Sequence, residues 1–126
     1  MSKQTPMREQ TYFVLASLLA GPLHGYAIIK RTAELSGGRV RLATGTLYTA
    51  LDRLTGEGFV EQIGEEVVSG RTRRSYALTG AGASAVRAEA MRMAESASVV
   101  TGRSEPGSAA AAAEGPGRAA RRVRPA

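Results

Sequence analysis

The chain has 126 residues, room for one small domain, and its 43% of apolar residues is ordinary for a globular protein. It contains no cysteine, which excludes disulfides, thiolate metal sites and cysteine nucleophiles. The formal net charge of +6 favours an anionic partner, nucleic acid or an acidic membrane surface, although a merely soluble basic surface would look the same. An apolar run, Phe13 to Ala20, stops at Gly21-Pro22, far short of a membrane span. No export signal is visible, so we expect a cytoplasmic protein without membrane contact.

A first helix is predicted from about Met7 to Ala20. Pro6 lies just ahead of it, where proline favours a helix start, and Gly21-Pro22 ends it. Apolar residues at helical spacing should face the core: Val14, Leu15, Leu18 and Leu19.

A second helix is predicted from Tyr26 to about Leu35, after a turn at His24-Gly25. Its polar arc comprises Lys30, Arg31 and Glu34, and covered residues should fill the rest: Tyr26, Ile28, Ile29 and Ala33. The segment 39–42 alternates charged and apolar residues, which predicts a short extended link with Arg39 and Arg41 facing out.

The third helix is predicted within Thr44–Gly58. Leu47, Leu51 and Leu54 fall on one narrow stripe, whereas four polar residues point the other way: Thr46, Thr49, Asp52 and Arg53. We expect Thr44 to cap its start, and Gly56 and Gly58 to bracket its end. About three turns is a normal length for a helix that enters a DNA major groove.

Two strands are predicted next, at Phe59–Glu66 and Arg73–Leu78, joined by a loop over 67–72 that contains Ser69-Gly70. Three helices followed by a hairpin are the element order of a winged helix. The expected fold class is therefore mainly α with a small β-hairpin, and the DNA-binding domain is expected to cover residues 1–78.

Thr79 is expected to cap a fourth helix running to about Val100, although Gly82 lies where a capping box would have Glu. Six residues of this helix repeat at 3-4-3-4-3 spacing, like a short coiled-coil seam: Ala83, Val86, Ala90, Met93, Ala97 and Val100. A second copy of the chain is the expected cover, so 79–100 is predicted to be a dimerisation helix.

The composition changes at Thr101. Residues 101–126 are mostly Ala, Gly, Pro and Ser, with five arginines and two glutamates. Such a segment buries too little apolar surface to offset its ordering entropy, so we predict a disordered tail.

Three stretches, HGYAIIKR, GGRVRLATGTLYTALDRLTGEGFVE and GRTRRSYALTGAG, resemble the PadR family of bacterial transcriptional regulators in sequence and order. The resemblance covers roughly residues 8 to 95, and the short C-terminal region is similar to the branch with a single helix there. It implies a winged helix-turn-helix that dimerises through its last helix, binds a pseudo-palindromic operator and usually represses. It also implies that some members bind aromatic or planar cationic ligands at the dimer interface, often between tryptophans.

The predicted DNA-binding residues fall in two groups. Those on or beside the third helix are Thr44, Thr46, Tyr48, Thr49 and Arg53, and those on the hairpin are Arg71, Arg73 and Arg74. Short hydroxyl side chains let a helix approach base edges, and Arg can fork onto guanine or hold a phosphate. The hairpin arginines suit phosphate or minor-groove contact. A solvated helix face and a charge-protected edge strand are the alternatives.

Other candidates are weaker. Tyr48 could instead pack against the second helix with its hydroxyl near a phosphate. Further phosphate candidates are Lys3, Arg8, Lys30, Arg39 and Arg41. His24, the only histidine, lacks nearby carboxylates in the sequence, so we expect it to shape a turn and not to bind metal.

The predicted function is that of a sequence-specific DNA-binding regulator, a homodimeric repressor dimerising through Val86, Ala90, Met93, Ala97 and Val100. No cofactor, metal or enzyme activity is expected, because no nucleophile, base and orienting group occur together. Met91 and Met93 could line a pocket for a small apolar effector, or pack in the core. A winged-helix protein-interaction module and a nonspecific nucleoid-associated DNA binder remain alternative functions.

Overall fold

The computed structural model describes residues 6–102, so Lys3 and residues 103–126 of the predicted tail lie outside it. The described residues divide into two compact units, 6–89 and 90–102. Within the described residues the elements are α1 (Glu9–Ser17), β1 (Leu23–His24), α2 (Gly25–Leu35), α3 (Thr44–Gly56), β2 (Val60–Val68), β3 (Arg71–Leu78) and α4 (Gly80–Thr101). The strands form one antiparallel sheet in the order β1-β3-β2. Three helices followed by a hairpin confirm the predicted winged-helix architecture.

The core of the first unit lies between α1, α2, α3 and the sheet. The predicted stripe of α3, Leu47, Leu51 and Leu54, is completely buried. Burying one leucine side chain contributes roughly 1.5–3 kcal/mol. The other buried apolar residues of this core are Val14, Leu15, Leu18, Ile28, Val40, Leu42, Val60, Tyr76 and Val86.

Helix α1 is shorter than predicted. It begins at Glu9 because Arg8 is extended (φ −68°, ψ 151°), and it ends at Ser17. Beyond Ser17 the chain continues in tighter turns, the Leu18 N–H donating to the Leu15 carbonyl at 3.1 Å. Leu19, predicted to face the core, is exposed.

Helix α2 begins at Gly25, one residue before the predicted start at Tyr26, and His24 is its N-cap. The imidazole Nδ1 accepts a hydrogen bond from the Ala27 N–H at 3.4 Å, which confirms that His24 shapes this turn. The same residue belongs to β1, a two-residue strand that was not predicted from the sequence. In β1, Leu23 pairs with Tyr76 and His24 with Ser75, so the start of α2 is fixed to the sheet.

Helix α3 begins at Thr44, so its N-cap lies one residue earlier than predicted. Ala43 is the N-cap, with no side-chain cap hydrogen bond, so the expectation for Thr44 was wrong. The Ala43 carbonyl already accepts the Leu47 N–H at 3.0 Å, which places Thr44 inside the first turn. The end is as predicted: Gly58 has φ +82°, and the Phe59 N–H donates to the Leu54 carbonyl at 2.9 Å.

The wing, defined here as the β2–β3 hairpin, is longer than predicted. Ser69 and Gly70 both have positive φ (52° and 78°), the conformation of a two-residue type I′ turn. The predicted six-residue loop over 67–72 was therefore wrong, because the residues on either side of Ser69-Gly70 belong to the strands.

Helix α4 is capped by Thr79, as predicted. Its hydroxyl accepts the Gly82 N–H at 3.0 Å. Gly82 itself is buried, and a β-carbon there would collide with the Phe59 carbonyl oxygen and stand 2.8 Å from Leu78 Cδ1. This contact explains the absence of the Glu that a capping box would place here.

Candidate nucleic-acid interface

The outward face of α3 carries short polar side chains. Thr44, Thr46 and Thr49 are all exposed, while the leucines on the opposite side of the same helix are buried. Because the buried leucines hold the helix in place, the threonine hydroxyls are not needed to position it and remain available to a partner. The arrangement leaves room for a flat partner surface, such as base edges, to approach the helix backbone closely.

Tyr48 belongs to the inner edge of this surface. It is half-buried, its ring centroid lies 6.4 Å from that of Tyr76, and its hydroxyl lies against Gly25, where a β-carbon would collide with it. Tyr48 thus packs against the start of α2, as the alternative interpretation had it. Burial raises the pKa of the neighbouring Tyr76 phenol, although the charge of Arg74 opposes that shift.

Arg53 has other partners within its own chain. Its guanidinium donates to the Thr11 hydroxyl of α1 at 2.8 Å and forms an i,i+4 ion pair with Glu57 at 3.4 Å. The side chain is 47% exposed. Helical spacing had placed it with Thr46 and Thr49, but the structure directs its guanidinium towards α1. It is therefore not brought together with the two threonines.

The wing arginines face carboxylates across the hairpin. Arg73 lies 4.0 Å from Glu66, and Arg74 lies 3.8 Å from Glu65. These ion pairs were not predicted from the sequence. The turn at Ser69-Gly70 could have revealed them, because a two-residue loop sets Glu66 opposite Arg73 and Glu65 opposite Arg74.

A cleft of about 350 Å³ separates the wing from the starts of α2 and α3. Two wing arginines line one side of it, Arg71 and Arg73, and the helix starts line the other. The N-termini of helices carry partial positive charge, so both walls favour an anion such as a phosphate. Its other lining residues are His24, Gly25, Tyr26, Ile29, Thr44, Tyr48, Val68 and Thr72.

A second basic region lies along α2 and the extended link after it. Tyr26, predicted to be covered, is in fact 72% exposed, so that prediction was wrong. Lys30 and Arg41 line a groove beside it. Arg39 faces outward from the extended link, as predicted, and is ion-paired with Glu9 of α1.

The predicted dimerisation residues fall into two classes. Val86 is only 2% exposed and packs in the core of its own chain, so its assignment to the seam is corrected. In the second unit, by contrast, the seam residues are open: Met93 is 41% and Val100 87% exposed, Ala97 is exposed and Ala90 half-buried. Met91 and Val99 are also exposed.

Between Pro6 and Gly102, no three His, Asp or Glu side chains come together where they could hold a metal ion. None of the helices in the same range is both long and apolar enough to cross a bilayer.

The chain is similar to known proteins in both sequence and structure. The chain is 43% identical over 81 residues to an uncharacterised 37.1 kDa protein in transposon TN4556 of Streptomyces fradiae. This match covers 64% of the chain but only 22% of the relative, so the chain spans about a fifth of that protein's length.

The fold recurs in solved structures of PadR regulators. Bacillus subtilis PadR, crystallised in complex with operator DNA, is 28% identical with a TM-score of 0.56, over 64% of this chain and 46% of that one. A PadR family transcription regulator from Clostridium difficile R20291 is 22% identical with a TM-score of 0.63, over 75% of this chain and 97% of that one. The sequence model of the transcriptional regulator PadR-like family matches residues 14–88, more than half of the sequence. The chain therefore belongs to the PadR-like family of transcriptional regulators.

Proposed function

We propose that this protein is a sequence-specific DNA-binding regulator that acts as a homodimeric repressor. The observation that carries the proposal is the orientation of α3: its leucines are buried and its threonines face outward. Family membership supports the same function, and the related B. subtilis PadR was solved with operator DNA. Such a regulator would work in the cytoplasm, where the chromosome lies.

The threonines of α3 are proposed to read bases in the major groove. A threonine hydroxyl can meet a base edge and its methyl can contact a thymine methyl, so Thr46 and Thr49 carry the sequence preference. Arg71 and Arg73 then hold phosphates beside the groove, with Arg74 on the same hairpin. Arg53 can join them only by leaving Thr11 and Glu57, so its contribution to specificity is expected to be smaller than that of the threonines.

The second half of α4 is proposed to form the dimer. Its exposed apolar residues, Met93 and Val100 among them, repeat at the spacing of a coiled-coil seam. A two-fold dimer sets two α3 helices about 34 Å apart, one turn of B-DNA, and reads an inverted repeat. An apolar effector would contact Met91 and Met93 at this interface. The protein is proposed to need no cofactor and to have no enzyme activity.

The test uses genomic fragments in a mobility-shift assay at low salt. We expect a retarded band for a subset of fragments, and a fall in affinity on the order of 10³-fold between 50 and 200 mM salt for six or more phosphate contacts per dimer. Thr49→Ala should change which fragments bind, whereas Arg71→Ala should weaken all of them alike. Binding that ignores sequence would instead favour a nonspecific nucleoid-associated protein. No DNA binding together with a stable complex with another protein would favour an interaction module.

A further inference from the structure

The basic side chains of the described residues can be sorted by their partners. Five arginines lie within 4.0 Å of a carboxylate: Arg31, Arg39, Arg53, Arg73 and Arg74. No ion pair within residues 6–102 includes any of a second set: Arg8, Lys30, Arg41, Arg71 and Arg87. A cation without a carboxylate beside it meets an incoming phosphate without first giving up a partner. The second set is therefore the better place to look for phosphate contacts.

Two of these cations share one groove. It has a volume of about 520 Å³ and runs along α2, with Lys30 on the helix and Arg41 on the extended link that follows. The Arg41 guanidinium folds back against Gly38, where a β-carbon would stand 3.1 Å from Nη2. The one carboxylate in the lining, Glu34, is paired with Arg31 at 3.6 Å. The groove therefore carries net positive charge over an apolar floor of Ile29, Ala33 and Leu42.

The groove adjoins the cleft beside the wing, because Tyr26 and Ile29 line both. The cleft also holds Arg71, which, like Lys30 and Arg41, has no ion pair among the described residues. The exposed Tyr26 ring and hydroxyl can pack on a sugar and donate to a phosphate. Together these residues form a strip that extends from the wing along α2.

We infer that this strip, through Tyr26, Lys30 and Arg41, holds the sugar–phosphate backbone of the bound duplex next to the groove that α3 enters. The inference rests on the proposed function and identifies which cations serve it. It separates two arginines that the sequence treats alike. Arg39 and Arg41 are two residues apart and both exposed, but Arg39 is tied to Glu9, whereas Arg41 faces the groove.

The experiment measures the affinity of the full chain for two 30-base-pair duplexes by fluorescence anisotropy. One duplex is enriched by the protein from a random-sequence library, and the other is a scrambled version of it. With one phosphate contact per subunit, Arg41→Ala should weaken binding to both duplexes by about tenfold at 100 mM salt and reduce the slope of log K against log salt by about two units per dimer. Lys30→Ala should act in the same direction.

The matched control is Arg39→Ala, which removes the same charge and should change affinity less than twofold. If circular dichroism shows that Arg39→Ala is unfolded because it has lost its pair with Glu9, Arg87→Ala on α4 serves as the control instead. Equal effects of Arg41→Ala and the folded control, or no effect of Arg41→Ala, would overturn the inference while leaving the regulator intact. If the library yields no preferred sequence, the proposed function fails, and a random duplex still tests the strip.

Discussion

The close packing of Gly82 against Phe59, just before the wing, leads to an unusual prediction about the stability of a Gly82→Ala variant. Replacing glycine by alanine inside a helix normally stabilises a protein by up to about 1 kcal/mol. At Gly82 the new β-carbon would strike the Phe59 carbonyl oxygen, a backbone atom that also accepts the Thr79 N–H at 3.0 Å. Overpacking typically costs about 1–3 kcal/mol, and this neighbour cannot rotate away. Gly82→Ala should therefore destabilise the protein despite its better helix propensity.

Gly80 provides a matched control two residues earlier in the same helix. A β-carbon there meets nothing within 4 Å, so Gly80→Ala should leave stability unchanged or raise it by a few tenths of a kcal/mol. Thermal unfolding followed by circular dichroism measures both variants. For a domain of this size, a loss of 1 kcal/mol lowers Tm by roughly 4–8 °C. A Gly82→Ala variant as stable as Gly80→Ala would show that the helix start can shift, and would refute the argument from packing.

Three further predictions concern the buried face of α3, an ion pair of the wing and the buried Tyr76 phenol. Leu51→Ala should lower the free energy of unfolding in urea by about 2–5 kcal/mol, because Leu51 is completely buried. Thr49→Ala on the exposed face should lower it by less than about 1 kcal/mol. Similar losses for the two variants would mean that α3 is not anchored by its leucines. Glu66→Gln removes the carboxylate beside Arg73, and with it one negative charge per subunit near the DNA phosphates. Affinity for any duplex should therefore rise about two- to fivefold in anisotropy titrations. Weaker binding would contradict this. Because burial raises the pKa of Tyr76 above its unfolded value near 10, the unfolded chain loses this proton first, and stability should fall as pH rises past about 10. Tyr76→Phe should reduce that alkaline loss of Tm, and an unchanged pH profile would contradict the assignment.

Local patterns were enough to predict most of the fold. The leucine stripe of α3, the Thr79 cap and the turn at His24 each depend on residues within one or two helical turns, and all three are confirmed. Strand β1 was missed because two residues carry no periodicity, and its pairing with β3 joins positions about 50 residues apart. Tyr26 was misplaced because its apolar ring suits a core, whereas the structure leaves it at the edge of a groove.

The candidate site was predicted in its residue types but not in its pairings. The sequence does not distinguish Arg39 from Arg41, and helical spacing groups Arg53 with the threonines of α3. Only the packing of α1 against the rest shows that Arg39 reaches Glu9 and Arg53 reaches Thr11. Val86 shows the same limit, because a helical repeat cannot tell which part of a seam its own chain already covers.

The central claim is that the outward threonines of α3 determine the sequence that is bound. The most direct measurement is to select duplexes from a random library with the natural chain and with a Thr46→Ala, Thr49→Ala double variant, and to compare the enriched sequences. We expect an inverted repeat with half-sites about 34 Å apart for the natural chain, and altered or lost preference at the contacted positions for the variant. Identical enriched motifs from both proteins would contradict it.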